Sequence, residues 1–147
     1  MDDQAFSYQQ APYQIPAAKS EAYCEAWRYI AGPGSWWTGA ERLAIARAAR
    51  EAANCPLCLE RAAALSPFAI TGEHATADEQ VLISAEVLDA VHRICTDSAR
   101  LTSRWVNDLI SDTFSYGHYV EMLSVIVTVV SIDSFHQVAY GMKFIKY

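Results

Sequence analysis

Val125-Ile126-Val127-Thr128-Val129-Val130 is the stretch of sequence that decides the fold class. All of its residues are β-branched, and intrinsic propensity alone favours a β-strand. A half-buried strand alternates apolar and polar residues, however, whereas this stretch is apolar on both faces. No other segment of the sequence offers a partner strand. We therefore predict a helix that is buried on all sides within a bundle or an oligomer, and an all-α fold.

The predicted terminal helix extends from this stretch back to Ser115 or Tyr116 and forward to about Tyr140. Apolar residues at helical spacing, capping boxes and Gly/Pro breaks predict the helices before it. These cover residues 17–31, 38–54, 55–65, 81–95 and 102–111. Capping boxes are expected at Thr38-Gly39-Ala40-Glu41 and at Thr76-Ala77-Asp78-Glu79. The sequence therefore predicts a compact bundle of about six helices.

The length of 147 residues suits one domain with its own core. Residues 1–15 mix Gln, Tyr, Pro and Ser with little periodicity. We expect them to form an extended arm that is mobile or laid over a neighbouring surface. Residues 16–147 then form the helical domain.

Charge and hydropathy exclude several classes of partner. Lys and Arg total 11 against 17 Asp and Glu, the net charge is −6, and no cluster of five basic residues occurs. Nucleic acid is therefore not an expected partner. The N-terminus Met1-Asp2-Asp3-Gln4 is acidic where a signal peptide is basic, and the longest strongly apolar stretch, Leu123–Ile132, is too short to span a bilayer. We expect a soluble cytoplasmic protein with no membrane partner.

Two of the four cysteines stand in Asn54-Cys55-Pro56-Leu57-Cys58, between two helical runs. Thiols three positions apart at a helix start can close a small reversible disulfide, and the positive helix end favours a thiolate. Pro is tolerated at the first helical position because no intrahelical bond is lost there. Cytosolic thiols are kept reduced unless they turn over catalytically, so the pair indicates redox chemistry.

A zinc site is the competing interpretation of this pair, because half of such a site has the same spacing. Cys24 and Cys95 are isolated, however, and no second close pair or His-x-x-x-His motif completes four ligands. We therefore predict that Cys24 and Cys95 are core residues and that the chain holds no metal.

Glu121 and His136 on the terminal helix are candidates for proton transfer. Glu121 precedes an apolar run, and a desolvated carboxylate has the raised pKa that a general acid or base requires. A helix N-terminal charge favoured by the macrodipole is the equal alternative for Glu121. Asp133 stands three residues before His136 and can orient its imidazole, although a core histidine is an equal alternative. The two candidates are about 22 Å apart along the helix, so one site holds both only if different subunits contribute them.

The other histidines, two tryptophans and one tyrosine are expected to take no part in proton or electron transfer. Surface positions are predicted for His74, His92 and His118. Trp36-Trp37 and Tyr119 either wall a small apolar pocket or anchor the core or an interface.

Two blocks of the chain resemble the carboxymuconolactone decarboxylase superfamily, in particular its alkylhydroperoxidase (AhpD-like) branch. One runs from Glu41-Arg42-Leu43-Ala44-Ile45-Ala46 to Cys58, and the other from Tyr119-Val120-Glu121-Met122-Leu123 to His136. With the helices between them they cover roughly residues 36–141. The resemblance implies an all-helical core in symmetric oligomers, often trimers or hexamers, with the active site beside the cysteine helix.

In the peroxidase branch that this chain resembles, the second cysteine attacks the peroxide, the first resolves it as a disulfide, and a Glu/His pair relays protons. Carried over, Cys58 attacks and Cys55 resolves, although helix-end electrostatics alone favours Cys55 as the more acidic thiol. The His expected four residues after the second cysteine is replaced by Ala62. His136 is the candidate replacement base.

The upstream Glu of the family pattern is also displaced. Its usual position, twelve residues before the first cysteine, is Leu43, whereas Glu41 stands fourteen residues before it. Glu41 is therefore a candidate for the proton relay, and it also stands where a capping-box Glu belongs.

The resemblance implies a thiol-dependent oxidoreductase that reduces alkyl hydroperoxides in antioxidant defence, without a bound organic cofactor or metal. An external dithiol, from a lipoyl- or thioredoxin-type protein, would restore the thiols. Two alternatives stay open. One is a decarboxylase or isomerase of a small lactone or acid, against which the retained cysteine pair counts. The other is a non-catalytic helical assembly protein whose thiols sense redox state, which Ala62 supports.

Overall fold

The fold is all-α, as predicted. A computed structural model describes residues 8–12, 14–76 and 82–140, and within these ranges it contains helices and no strand. The helices are α1 (Ala17–Ala31), α2 (Gly39–Ala52), α3 (Pro56–Ala63), α4 (Ala85–Asp97), α5 (Ser103–Leu109) and α6 (Tyr116–Ala139). Single 3-10 turns cover Pro67–Ala69 and Ser98–Arg100.

Side-chain caps fix several of the helix starts. Thr38 Oγ1 accepts a hydrogen bond from the Glu41 N–H, and the Glu41 carboxylate accepts one from the Thr38 N–H, which confirms the first capping box. The hydroxyls of Thr102 and Ser115 cap α5 and α6 in the same way. These polar side chains satisfy N–H groups that the first helical turn leaves without a partner.

The predicted start of the fourth helix was wrong. It was placed at Val81, but α4 begins at Ala85, because Ser84 is the residue whose hydroxyl accepts the Val87 N–H. The second predicted capping box, residues 76–79, lies mostly outside the described residues. Thr76 and Ser84 are both residue types that commonly cap a helix N-terminus, and the sequence alone did not decide between them.

The β-branched stretch 125–130 lies inside α6, which confirms the helix prediction. Val125, Ile126 and Val129 are buried against α2 and α4. Burial of each such side chain stabilises the fold by about 2 kcal/mol. The propensity cost of a β-branched residue in a helix is only about 0.5 kcal/mol. Within one chain the helix is not buried on all sides, since Val127 is 60% exposed.

The main core lies between α2, α4 and α6. Its buried members include Ile45, Ala46, Ala49, Val87, Ala90, Val91, Met122, Val125, Ile126 and Val129. Trp37 also belongs to this core, whereas Trp36 is half exposed. The predicted core residues Cys24 and Cys95 are partly buried and pack against the core clusters.

A second, smaller cluster joins the N-terminal segment to α6. Tyr8 is buried against Ile132 and Ala139, and the Ala11 N–H donates to the Tyr8 carbonyl in a turn. Residues 8–12 of the predicted arm therefore pack on the helical domain of their own chain. Residues 1–7 and 13 lie outside the described residues.

The length and composition of α6 alone would allow it to cross a membrane. It has 24 residues and a mean hydropathy of 1.5 over its most apolar window. Its apolar part is therefore longer than the stretch Leu123–Ile132 from which the sequence predicted no membrane span. Core helices of soluble proteins pass the same test, which makes this weak evidence for a membrane span. In this fold α6 supplies a large share of the main core.

Candidate functional site

The two cysteines of the Cys-x-x-Cys motif lie at the start of α3, as predicted. Cys55 is the N-cap residue, Pro56 occupies the first helical position, and Cys58 lies within the first turn. Both cysteines are free and buried, with 0% and 1% of their surface exposed. The Cys55 sulfur accepts a hydrogen bond from the Ala75 N–H at 3.4 Å.

Two imidazoles reach these sulfurs from other parts of the chain. His74 Nδ1 lies 3.6 Å from Cys55 Sγ and 3.5 Å from Cys58 Sγ. His92 Nδ1 lies 3.3 Å from Cys58 Sγ. The prediction that both histidines are surface residues was therefore wrong. His92 is fully buried, and the side chain of His74 is only 6% exposed.

Asp89 orients the first of these imidazoles. Its Oδ1 lies 2.8 Å from His74 Nε2 and 2.6 Å from Arg61 Nη1, and its Oδ2 accepts from Arg93 Nε at 2.7 Å. Burial raises the pKa of Asp89, but the hydrogen bonds from Arg61, His74 and Arg93 outweigh it and lower the pKa to about 2. The carboxylate is therefore ionised at neutral pH. It accepts the Nε2 proton of His74 and directs Nδ1 at both sulfurs, where Nδ1 can take a thiol proton and then donate a hydrogen bond to the thiolate.

The two thiols differ in acidity. Burial raises the pKa of Cys55, but hydrogen bonds from the backbone of Ala75 and Cys58 and from His74 outweigh it and lower the pKa to about 7. Burial raises the pKa of Cys58 to about 12, and the hydrogen bond and charge of Cys55 add to this. The helix-end argument, which favoured Cys55 as the more acidic thiol, agrees with this difference.

His92 is held neutral next to Cys58. Burial lowers its pKa to about 4, and the charge of His74 acts in the same direction. Its Nδ1 can therefore accept a hydrogen bond from the Cys58 thiol. Its Nε2 is buried and has no hydrogen-bond partner among the described residues.

The local fold explains why these side chains converge. Helix α4 packs against both α2 and α3, so a residue beside its apolar face points toward the cysteine helix. His92 follows the buried Val91 and therefore lies at that boundary. The loop that carries His74 is tied to α3, because Arg61 Nε donates to the Ile70 carbonyl and Gly72 packs on Leu57.

One signal in the sequence pointed to His92. Asp89, His92 and Arg93 are spaced three and four residues apart, so they share one face of α4 beside its apolar face. A polar group of this kind next to buried positions indicates a partner on a neighbouring element. His74 had no such signal, because it stands in a loop without periodicity.

Glu41 and Glu121 lie elsewhere and hold local structure. Glu41 closes the capping box with Thr38. Glu121 Oε2 accepts hydrogen bonds from the Ser35 and Trp36 N–H groups at 3.0 Å each, and its Oε1 lies 3.7 Å from Arg42 Nε. Neither carboxylate is among the groups that contact the sulfurs within the described chain.

His136 also lies away from the sulfurs. Its ring packs on Tyr8 and Tyr140, with ring centroids 5.5 and 4.6 Å apart. Asp133, expected to orient this imidazole, instead accepts two hydrogen bonds of 2.8 Å from Arg50. Within one chain, therefore, His136 does not replace the histidine that the family pattern expects at position 62. His74 and His92 stand beside the sulfurs.

The arrangement supports two kinds of chemistry. Cys55 can act as a nucleophile, His74 as its base and Asp89 as the carboxylate that orients the base, and each residue is hydrogen-bonded to the next. The two sulfurs and the two Nδ1 atoms, which lie within 4.8 Å of one another, are also the donor atoms of a two-cysteine, two-histidine metal site. The sequence offers no second pair of ligands close to the cysteines, but the fold brings two histidines to them from distant positions. No family model, curated protein or solved structure matched this chain.

Proposed function

We propose that this chain is a thiol-dependent oxidoreductase that reduces alkyl hydroperoxides through a Cys55/Cys58 dithiol/disulfide couple, like the AhpD-like branch that its sequence resembles. The observation that supports the proposal is the geometry of Cys55, His74 and Asp89. His74 Nδ1 lies 3.6 Å from the Cys55 sulfur, and its Nε2 lies 2.8 Å from Asp89. An activated nucleophile requires a base that is itself oriented by a third group.

Cys55 is the attacking residue in this proposal, which reverses the roles implied by the resemblance. It occupies the N-cap of α3, where its sulfur accepts the Ala75 N–H and faces His74. Each of these contacts favours a negative sulfur. Cys58 has His92 as its closest imidazole and is the resolving thiol.

The reaction proceeds in three balanced steps. First, the Cys55 thiolate attacks a hydroperoxide oxygen, so that an S–O bond forms and the O–O bond breaks. The alkoxide leaves as an alcohol with the proton that His74 took from the thiol. Second, the Cys58 sulfur, hydrogen-bonded to His92, attacks Cys55, the Cys58 proton passes to the leaving hydroxide, and water and the disulfide form. Third, an external dithiol reduces the disulfide by exchange and is itself oxidised.

The positions of the sulfurs suit the second step. Because they belong to a set of atoms within 4.8 Å of one another, a shift of a few ångströms closes an S–S bond of about 2.05 Å. The external donor, a lipoyl- or thioredoxin-type protein, a reducing cytoplasmic location and a homo-oligomeric assembly are parts of the same proposal.

Hydroperoxide consumption by the reduced protein, with a dithiol as donor, tests the proposal. We expect Cys55→Ser and Cys58→Ser to abolish turnover, and Cys95→Ser, which removes a thiol outside the cluster, to retain it. In Cys58→Ser a single equivalent of hydroperoxide should convert Cys55 to a sulfenic acid that a dione reagent traps. A wild-type protein that consumes no hydroperoxide and forms no disulfide would contradict the proposal.

Two further outcomes separate this proposal from its nearest alternatives. Trapping of a sulfenic acid on Cys58 in Cys55→Ser, and none on Cys55 in Cys58→Ser, would restore the roles implied by the resemblance. A single oxidation without repeated turnover, with every dithiol donor, would favour the redox-sensing protein over the enzyme.

A further inference from the structure

We propose that Cys55, Cys58, His74 and His92 bind one Zn²⁺ ion in the reduced protein, and that this ion controls the dithiol. The inference concerns the same residues as the proposed function. The metal site rests on their geometry and can hold without the proposed function, whereas control of the dithiol by the ion rests on that function.

Three of the six distances between the donor atoms match a tetrahedral zinc site. Bond lengths of about 2.3 Å to sulfur and about 2.05 Å to nitrogen place neighbouring S and N ligands about 3.5 Å apart. The S···N separations are 3.3 Å for Cys58 and His92, 3.5 Å for Cys58 and His74, and 3.6 Å for Cys55 and His74. The other three pairs lie within 4.8 Å, so binding of the ion needs side-chain adjustments of at most about 1 Å.

The groups around the four ligands have the arrangement of an outer shell of a metal site. Both histidines direct Nδ1 at the sulfurs, and His74 Nε2 is held by Asp89 at 2.8 Å. A carboxylate that holds the second nitrogen of a ligating histidine is a recurrent feature of zinc sites. The Ala75 N–H contributes a further hydrogen bond to the Cys55 sulfur.

Charge and burial also suit the ion. Two thiolates and two neutral imidazoles around Zn²⁺ carry no net charge, which makes a buried site less costly than one with isolated ions. The negative charge of Asp89 is paired separately with Arg61 and Arg93. Four protein ligands leave no open position, so such a site is closed and not catalytic.

Metal binding and disulfide formation compete for the same sulfur atoms. An ion on both thiolates slows their attack on a hydroperoxide. Oxidation reverses this state: the two thiolates lose two electrons and form the disulfide, the hydroperoxide takes the electrons and two protons to give an alcohol and water, and Zn²⁺ is released. Zinc would thus store the dithiol in a protected form and link its reactivity to metal supply.

Co²⁺ titration of the full-length reduced protein, stripped of metal with a chelator, tests the inference. We expect one Co²⁺ per chain, the intense visible bands of a tetrahedral ion, and a thiolate charge-transfer band in the near ultraviolet. Zn²⁺ should displace Co²⁺ and remove the spectrum. Treatment with a hydroperoxide should release bound Zn²⁺ in a ratio of one ion per disulfide formed. A weak octahedral spectrum, or no binding, would overturn the inference.

Variants locate the ion. Cys58→Ser and His74→Ala should lose the tetrahedral spectrum, whereas Cys95→Ser and His136→Gln, which change the same residue types outside the cluster, should keep it. His74→Ala is more informative than a change of the buried His92, because His74 comes from a loop and its removal leaves the helical core intact. A folded His74→Ala protein with an unchanged cobalt spectrum would contradict the site.

The experiment separates this inference from the proposed function. A protein that binds no Co²⁺ and still consumes hydroperoxide retains the proposed function and loses the metal site. A protein that binds Co²⁺ tetrahedrally, with or without turnover, retains the metal site.

Discussion

At the scale of single residues, Asp89 connects three parts of the chain around the candidate site. Its two oxygens interact with His74, Arg61 and Arg93, which belong to a loop and two helices. One carboxylate therefore orients the imidazole beside both sulfurs and also fastens α3 to α4. Orientation and stability depend on it together, and a substitution should affect both.

We predict that Asp89→Asn lowers the free energy of unfolding by about 2 kcal/mol, because hydrogen bonds between charged groups are lost and two guanidinium groups lose their counter-charge. Hydroperoxide reduction should fall at least about tenfold, since the His74 tautomer is no longer fixed. Denaturant unfolding and initial rates measure the two effects. Asp108→Asn is the control, because its pair with Arg104 is exposed and should contribute less than about 0.5 kcal/mol. Equal effects of both changes would contradict this account.

At the scale of elements, Glu121 joins the start of α6 to the turn between α1 and α2. Its carboxylate accepts two N–H groups of this turn and lies beside Arg42, which is 2% exposed and also donates to the Gly32 carbonyl. The sequence correctly placed Glu121 at the edge of an apolar helix. The turn that it binds is 85 residues away in sequence, which local periodicity does not reveal.

Gly34 tests this junction. A Cβ atom at position 34 would lie 1.5 Å from Glu121 Oε1, so Gly34→Ala displaces the carboxylate and breaks its two backbone hydrogen bonds. We expect a loss of about 2–3 kcal/mol in the free energy of unfolding. Gly32→Ala, whose Cβ would make only ordinary contacts of 3.5 Å and more, should change stability little. Thermal unfolding of both variants provides the comparison, and a harmless Gly34→Ala would mean that the junction contributes little.

Elements also show what the sequence could predict. Helix ends that carry a local signal, such as Ala17–Ala31, Thr38 and Ser115, agree with the structure because capping chemistry acts within four residues. The cysteine pair was identified for the same reason. His74 and His92 were not, since their approach to the sulfurs depends on the packing of α4 and on the path of a loop. Such long-range placement is not encoded in local spacing.

At the scale of the whole molecule, Tyr8 connects the N-terminal segment to the last helix. Its ring packs on Tyr23, Phe135, His136 and Tyr140. Its backbone has φ 49°, a left-handed conformation that costs a non-glycine residue about 1 kcal/mol. The aromatic contacts offset this cost. The segment before α1 is therefore part of the folded unit in its described residues.

Alkaline unfolding tests this contact. Burial, followed by the charges of Tyr23, Tyr140, Cys24 and Asp133, raises the pKa of Tyr8 from 10.0 to about 12. Because of this raised pKa, the folded state keeps the phenol proton of Tyr8 to a higher pH than the unfolded state does. The contribution to the free energy of unfolding is fully present below pH 10, and about 2 kcal/mol is lost as the pH rises to 12. Tyr8→Phe should reduce that loss. It should also stabilise the protein by about 1 kcal/mol at pH 7, because the Tyr8 hydroxyl is buried without a partner among the described residues. An unchanged alkaline profile would contradict the prediction.

The loop that carries His74 has a consequence for inactivation by heat. The helical core and the cysteine helix are regular elements, whereas this imidazole is supplied by a segment without regular secondary structure that is fastened by the Arg61 bond to Ile70 and by Asp89. Such a segment can detach in a sub-global opening while the bundle remains folded. Warming should then separate His74 from the sulfurs below the melting temperature of the helices, so that the proposed activity is lost before the helices unfold.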